Sequence, residues 1–192
     1  MNEFVNTTDV LGDDAVCDGI ILNTITEYAD SRVTSIGEYA FYGCTALQTV
    51  DLPNAVSIGV FSFENCTKLK TINIPKAIDV GNYAFAYNNL VESVNIPSVT
   101  IIGRYAFHNC QGISGTLDLP NVVSIGANAF TGCPHIEKLV LRSNVVCELG
   151  GTNTFTAAIK IYVPDGLVEE YSNATNWSAI AHLIYPISEM EG

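Results

Sequence analysis

An Ile-Gly or Val-Gly pair returns along the chain at Ile36-Gly37, Ile58-Gly59, Val80-Gly81, Ile102-Gly103 and Ile125-Gly126, at spacings of 22, 22, 22 and 23 residues. No other feature limits the fold so severely, because self-similarity at a short fixed period is the mark of a stacked-repeat architecture. Four residues after each glycine stands a phenylalanine: Phe41, Phe63, Phe85, Phe107, Phe130. Three beyond it comes Cys44, Cys66, Asn88, Cys110 or Cys133, and three later an aliphatic, Leu47, Leu69, Val91, Ile113 or Ile136. Each unit closes on an alternating segment ending in proline: Val50-Asp51-Leu52-Pro53, Ile72-Asn73-Ile74-Pro75, Val94-Asn95-Ile96-Pro97 and Leu117-Asp118-Leu119-Pro120. A fifth segment, Leu139-Val140-Leu141-Arg142, lacks the proline, and Ile161-Tyr162-Val163-Pro164 restores it.

A unit this short cannot bury its apolar side alone, but stacked copies share one continuous core. The period-2 segments predict one strand per coil, near 49–52, 71–74, 93–96, 116–119, 138–141 and 160–163, paired in parallel between coils with Val50 beside Ile72. The stretch after each Ile-Gly, such as 38–43, is too short for a full helix and predicts a helical or 3₁₀ turn that delivers phenylalanine to the core. Each glycine is expected to permit a tight or left-handed bend, and each proline to end its strand. The extra residue of the fourth unit falls in the glycine-containing stretch 111–116, a turn able to absorb it.

This pattern resembles the BspA-like leucine-rich repeats over residues 33–164. The resemblance implies a right-handed β-solenoid of about five to six coils with short helical or 3₁₀ turns and helical caps at both ends. Residues 1–32 are then an acidic N-terminal cap, 33–164 the solenoid and 165–192 a C-terminal helical cap, all one continuous domain. Tyr171 and the run Asn173-Ala174-Thr175-Asn176-Trp177 are similar to the cap that closes such arrays. Departures are Asn88 for Cys, Ser62 for Ala, and the stretch 142–160, where Cys147 is read in place of the Ile before Gly and Phe155 arrives three residues late.

Charge follows the same three-part division. Residues 1–31 carry seven acids and residues 161–192 five, neither with Lys or Arg, while 32–160 hold eight of each sign; −7, 0 and −5 make the net −12. That balance argues against nucleic acid, which needs clustered cations, and against anionic membrane surfaces. No uncharged apolar run is long enough to span a bilayer, so no membrane insertion is expected. The first residues show no signal peptide, which leaves a cytoplasmic chain or a trimmed one open beside the cell-surface or secreted location that the resemblance implies. At the ends, Thr7 or Thr8 is expected to cap a short helix through Asp9-Val10-Leu11 and Val16, and Asp165 one over 166–171, with Trp177, Ala179, Ile180 and Leu183 laid over the last coil. The acidic ends discourage end-to-end stacking, and a monomer is expected.

Six cysteines lack a Cys-x-x-Cys pair and follow the repeat, which argues against zinc and for buried free thiols. Asp13-Asp14-Ala15-Val16-Cys17-Asp18 lacks the spacing of a calcium loop. His108, His135 and His182 occupy unrelated repeat positions. The chain is read as no enzyme, with no catalytic residue, metal or cofactor. Glu38 and Glu64 lie near an aromatic column without a second carboxylate fixed by the pattern, although glycoside hydrolysis needs two.

Two surface columns remain. On the strand face the outward positions are Thr49, Thr71, Ser93, Thr116, Lys138 and Lys160 in one row, then Asp51, Asn73, Asn95, Asp118, Val140 and Tyr162 in the next; Thr49, Asp51, Thr71, Asn73, Ser93, Asn95, Thr116, Asp118, Lys138 and Tyr162 are the candidate binding residues. The residue two before each phenylalanine forms the other column, Tyr39, Phe61, Tyr83 and Tyr105, expected as a shielding ladder. The resemblance implies non-enzymatic recognition of a protein or glycan partner, a host or matrix molecule, by a bacterial surface-type protein. A spacer or assembly module of a larger surface or phage-like structure, and a carbohydrate-binding module using the aromatic column, are the alternatives.

Overall fold

The computed structural model describes residues 10–11, 25–155 and 159–190. The acidic cluster 13–18, Cys17 and most of the expected N-terminal helix lie outside the described residues. Val10 and Leu11, expected in that helix, form a strand paired in parallel with Ser35 and Ile36.

Each repeat contributes two strands, not one. Among the described residues a seven-stranded parallel sheet is built from β1 (Val10–Leu11), β3 (Ser35–Ile36), β5 (Ser57–Ile58), β7 (Asp79–Val80), β9 (Ile101–Ile102), β11 (Ser124–Ile125) and β13 (Glu148–Leu149). Two residues are too few to show alternation, so the sequence pattern hides this line. The alternating segments form a second line: β2 (Glu27–Ala29), β4 (Thr49–Asp51), β6 (Thr71–Asn73) and β8 (Ser93–Asn95) in one parallel sheet, with Val50 beside Ile72 as expected. A third sheet takes over with β10 (Ser114–Leu119), β12 (His135–Leu141), β14 (Lys160–Val163) and β15 (Ile184–Pro186).

The break between β8 and β10 sits at the extra residue. Ile113 keeps the 22-residue offset from Val91, whereas Thr116 stands 23 after Ser93. Gly115 takes a left-handed conformation, φ +70°. Across the next pair Gly115 faces Ile136 and Thr116 faces Lys138, so Glu137 is left without a register partner as a bulge.

The stretch after each Ile-Gly is a run of tight turns with two bonding patterns interleaved. Ala40, Tyr42 and Cys44 donate back to Gly37, Tyr39 and Phe41, the i−3 pattern of a 3₁₀ turn. The residues between them, Tyr39, Phe41 and Gly43, donate to Val60, Ser62 and Glu64 of the next coil. Alternating direction needs left-handed residues, and they fall at two positions per coil. One is the aromatic column, Tyr39, Phe61, Tyr83, Tyr105 and then Asn128, at φ 56–60°; the other is Gly43, Asn65, Tyr87, Asn109 and Gly132. Apart from Tyr87, the second column carries glycine and asparagine, the residues that tolerate this region.

The Ile-Gly glycines have a different role from the one expected. None of those described has a positive φ. A Cβ on Gly59, Gly81, Gly103 or Gly126 would come within 2.5–2.7 Å of the backbone of the preceding coil, so glycine is required for close stacking. Gly150 is a further member, and Leu149 is the register partner of Ile125. Leu149-Gly150, not Cys147, therefore continues the motif, and Phe155 follows it by five residues where the earlier units have four.

The core is one ladder from end to end. Phe41, Phe63, Phe85, Phe107, Phe130 and Phe155 stack with centroids 4.6–6.0 Å apart. Tyr28 meets Phe41 edge-on at one end, and Trp177 stacks on Phe155 at the other, at 6.2 Å. Trp177 and Tyr171 are fully buried, Tyr171 on helix α1 (Val168–Asn173). The indole Nε1 donates to Cys147 O at 2.6 Å, and Cys147 N donates to Tyr171 Oη at 2.9 Å. Asp165 does not cap the turn that follows it; its carboxylate accepts from Ser188 N at 3.1 Å. Ile180 and Leu183 pack on the core as expected, while Ala179 is exposed.

Candidate binding faces

On the strand face the rows are held by their own side chains. Asn73 Nδ2 donates to Asp51 Oδ1 and Asn95 Nδ2 donates to Asn73 Oδ1, both at 2.6 Å. Thr49, Thr71 and Ser93 run beside this amide ladder in register. Coil stacking thus brings six of the candidate residues onto one sheet. Thr116, Asp118, Lys138 and Tyr162 belong to the other sheet, across the break, so the rows that the sequence presents as continuous are two patches. Asp118 is held bidentate by Arg142, with Nη2 to Oδ2 at 2.8 Å, a pair on exposed side chains. Sequence position gave no hint of Arg142, which stands where the other units have proline.

Tyr162 and Val140, expected to point outward, are buried, Tyr162 at 3% exposure. The tail explains Tyr162: β15 adds a strand to the sheet and sets Tyr185 beside Tyr162, ring centroids 5.9 Å apart.

The aromatic column forms as read. Tyr39, Phe61, Tyr83 and Tyr105 stack face to face at 4.7–5.0 Å. Stacking consumes the faces of the inner rings and leaves their edges outward. A sugar needs an open aromatic face, so the inner rings offer it no platform. Left-handed backbone at a non-glycine costs roughly 1–2 kcal/mol per residue, and an aromatic pair returns about 0.5–1.5 kcal/mol beyond burial; the ladder offsets the strain of its own backbone. Arg104 lies over the Tyr105 ring at 5.1 Å, and His108 meets Tyr87 and Tyr105 edge-on. Glu64 is half-buried, and desolvation raises its pKa.

The cysteine column is buried and free of disulfides at Cys44, Cys66, Cys110, Cys133 and Cys147. Four successive-coil positions share one task. Cys66, Cys110 and Cys133 donate Sγ–H to the carbonyls of Phe41, Phe85 and Phe107 at 3.0–3.1 Å. Asn88 does the same with Nδ2 to Phe63 O at 2.8 Å and to Phe85 O at 2.9 Å. Burial pushes the Cys133 and Cys147 thiols up to about 12 and Cys110 well above its usual value, which keeps them protonated as donors. Among the described residues no group of three or more His, Cys, Asp or Glu is placed to hold a metal ion. No described helix is long and apolar enough to cross a membrane.

A comparison with curated proteins finds no match. Among solved structures, a leucine-rich repeat protein from Bacteroides ovatus is 25% identical with a TM-score of 0.69, covering 93% of this chain and 45% of its own. The T. pallidum leucine-rich repeat protein is 25% identical with a TM-score of 0.55, covering 72% of this chain and 75% of its own. The BspA type leucine-rich repeat region matches in six copies, over residues 21–114 and 78–188. With the parallel stacking and the repeated Ile-Gly, Phe and Cys columns, this places the chain in the BspA-type leucine-rich repeat family.

Proposed function

We propose that the chain is a non-catalytic recognition module that contacts a partner protein at a bacterial cell surface through its strand rows. The observation that carries this reading is the Asp51–Asn73–Asn95 ladder. Each of these side chains is already ordered by its neighbour, so a partner meets a row of fixed polar groups and little rotamer entropy is lost on contact. The self-stacked aromatic column supports the same choice, because its ring faces are spent within the molecule. Membership of the family supports a surface location and a host or matrix partner as parts of this reading.

The test is a binding screen against immobilised matrix proteins and glycans, followed by two variants. Ser93→Arg with Asn95→Arg alters exposed side chains and is expected to weaken a protein partner at least tenfold with the fold intact. Tyr83→Ser with Tyr105→Ser is expected to lower thermal stability and leave the affinity of the remaining folded protein unchanged. Loss of binding in the tyrosine pair alone, or glycan binding untouched by the arginine pair, overturns the reading.

A further inference from the structure

β8 and β10 belong to successive coils and do not pair. Elsewhere along this face each coil bonds to the next at both ends of its strand. Leu52 N and Ile74 N donate forward to Asn73 O and Asn95 O at 2.9 and 3.0 Å, and Thr71 N and Ser93 N donate back to Gln48 O and Lys70 O at 3.2 and 3.1 Å. Ile96 N and Thr116 N, the equivalent donors at the break, make no such bond to Asp118 O or Glu92 O. The Cα atoms of β8 and β10 do not stay within 8 Å of one another along the strands, where paired strands lie about 4.8 Å apart. Behind the strands the same two coils meet closely: a Cβ on Gly112 would lie 2.6 Å from Val91 O, and Val123 N donates to Thr100 O at 2.8 Å. The gap is a wedge open on the strand face, and its cause is local. Ile113 to Thr116 is a step of three residues where Val91 to Ser93 and Ile136 to Lys138 are steps of two. Core shows through the wedge: Val94 is half-buried although its register partner Ile72 is fully buried, and Leu117 is 9% exposed against 0% for Leu139. Asn95 ends the amide ladder, because Asp118 turns to Arg142.

We propose that this slot takes up an extended segment of the partner protein as one added strand between β8 and β10. The proposal rests on the strand rows being the recognition face and names the form of chain they recognise. Unpaired strand edges are templates for pairing, and one further strand between two edges needs two inter-strand steps, about 9.6 Å. The segment's carbonyls accept from Ile96 N and Thr116 N. Every second side chain of a strand faces the same way, so an aliphatic residue of the segment is set inward between Val94 and Leu117 and its neighbours stay in the polar row beside Asn95. Main-chain bonds then supply affinity and the inward side chain specificity. A helix has spent its backbone groups internally and a sugar has no row of amides, so neither completes these edges.

The probe is acetyl-Lys-Thr-Ile-Asn-Ile-Pro-amide, a copy of the chain's own strand at 70–75, titrated into ¹⁵N-labelled protein. The Ile96 and Thr116 amide signals are expected to shift and saturate at about 1 mM, and their exchange with solvent to slow at least tenfold. The Ile74 amide, already bonded to Asn95 O, should stay in place. Two control peptides, one with Asp for its first Ile and one N-methylated at both Ile residues, should each bind at least tenfold more weakly. Deleting Gly115 restores the two-residue step and is expected to close the slot: the Ile96 and Thr116 amides then exchange slowly without peptide, and the peptide shifts nothing. If the deletion does not fold, the control peptides on the unaltered chain still decide. No shift, equal binding of the Asp peptide, shifts at Tyr185 on the edge strand β15 in place of Ile96 and Thr116, or shifts unchanged by the deletion overturns the proposal. Shifts at those two amides that grow with protein concentration alone give the slot to a second copy of the chain and overturn it as well. Each of those results leaves the Ser93/Asn95 test of the strand rows standing, and failure of that test leaves the amide shifts readable.

Discussion

Two glycines at different positions of the repeat, Gly81 in one coil and Gly43 in another, are required by the fold for opposite reasons, and substitution separates them. At Gly81 the backbone conformation is open to any residue, but an added Cβ would lie 2.7 Å from Gly59 C and Val60 N. Those atoms are backbone, and the coils on both sides are tied by Gly81 N to Ile58 O and Gly103 N to Val80 O, each at 2.8 Å. The clash cannot be relieved by one side chain turning aside, so Gly81→Ala is expected at the upper end of overpacking costs, about 3 kcal/mol. Gly81→Asn is larger and is expected to be worse. At Gly43 the situation is reversed: φ is +69° and an added Cβ meets nothing within 4 Å. Gly43→Ala is expected to cost about 1–2 kcal/mol for the left-handed backbone. Gly43→Asn should cost less, since Asn65 and Asn109 fill the equivalent position at φ 60° and 57°. For a chain of this size about 3 kcal/mol is a fall in Tm of about 6–12 °C. Equilibrium unfolding followed by circular dichroism and by fluorescence of Trp177, the only tryptophan, measures all four variants. If Gly81→Asn proves as mild as Gly43→Asn, close approach is not the reason for the glycine and the stacking argument fails.

Asn88→Cys is expected to stabilise the protein by about 1 kcal/mol, because it keeps a donor to Phe63 O and removes the buried Asn88 Oδ1, which has no partner; chemical denaturation checks it. In native protein at pH 8, Cys44, Cys66, Cys110, Cys133 and Cys147 should resist alkylation and react only on unfolding, as read by peptide mass spectrometry. Because burial raises the Cys133 and Cys147 pKa values from 9.0 to about 12, the unfolded state releases those protons first as pH rises. Their contribution to stability is then complete below about pH 9 and lost toward pH 12, and a pH series of unfolding free energies should fall over that window. Tyr171→Phe should cost about 1–3 kcal/mol by leaving Cys147 N–H buried without its acceptor, whereas Trp177→Ala should cost about 3–5 kcal/mol by opening the C-terminal end of the phenylalanine ladder; thermal melts rank the two.

Much of the architecture is legible in spacing alone, because in a solenoid a side chain's place depends on its position within one short period. Phe41 to Phe130, the cysteine column and the Val50–Ile72 register follow from that rule. Asn88 broke the cysteine pattern in sequence but not in space, since an amide donor reaches the same class of carbonyl as a thiol. The line of two-residue strands was not legible, because Ser57-Ile58 is too short to alternate. Misalignment at 142–160 had a similar source: the motif there is Leu149-Gly150, offset by two residues, and only strand pairing with Ile125 reveals it. The candidate site was legible as rows but not as patches.

Composition and period by themselves determined that this chain stacks, which residues make its core and why clustered-cation partners are disfavoured. Tertiary structure alone decided what those rows become. An insertion of one residue near Gly115 breaks a sheet, because inter-strand pairing demands register and a local sequence carries no record of its neighbour's. A tail of 3₁₀ turns and one added strand then buries Tyr162, since burial depends on what the distant chain lays across a surface. Glycine at 81 is likewise a residue whose reason lies in another coil: the sequence shows the missing side chain, and only the stacked backbone shows what would stand in its place.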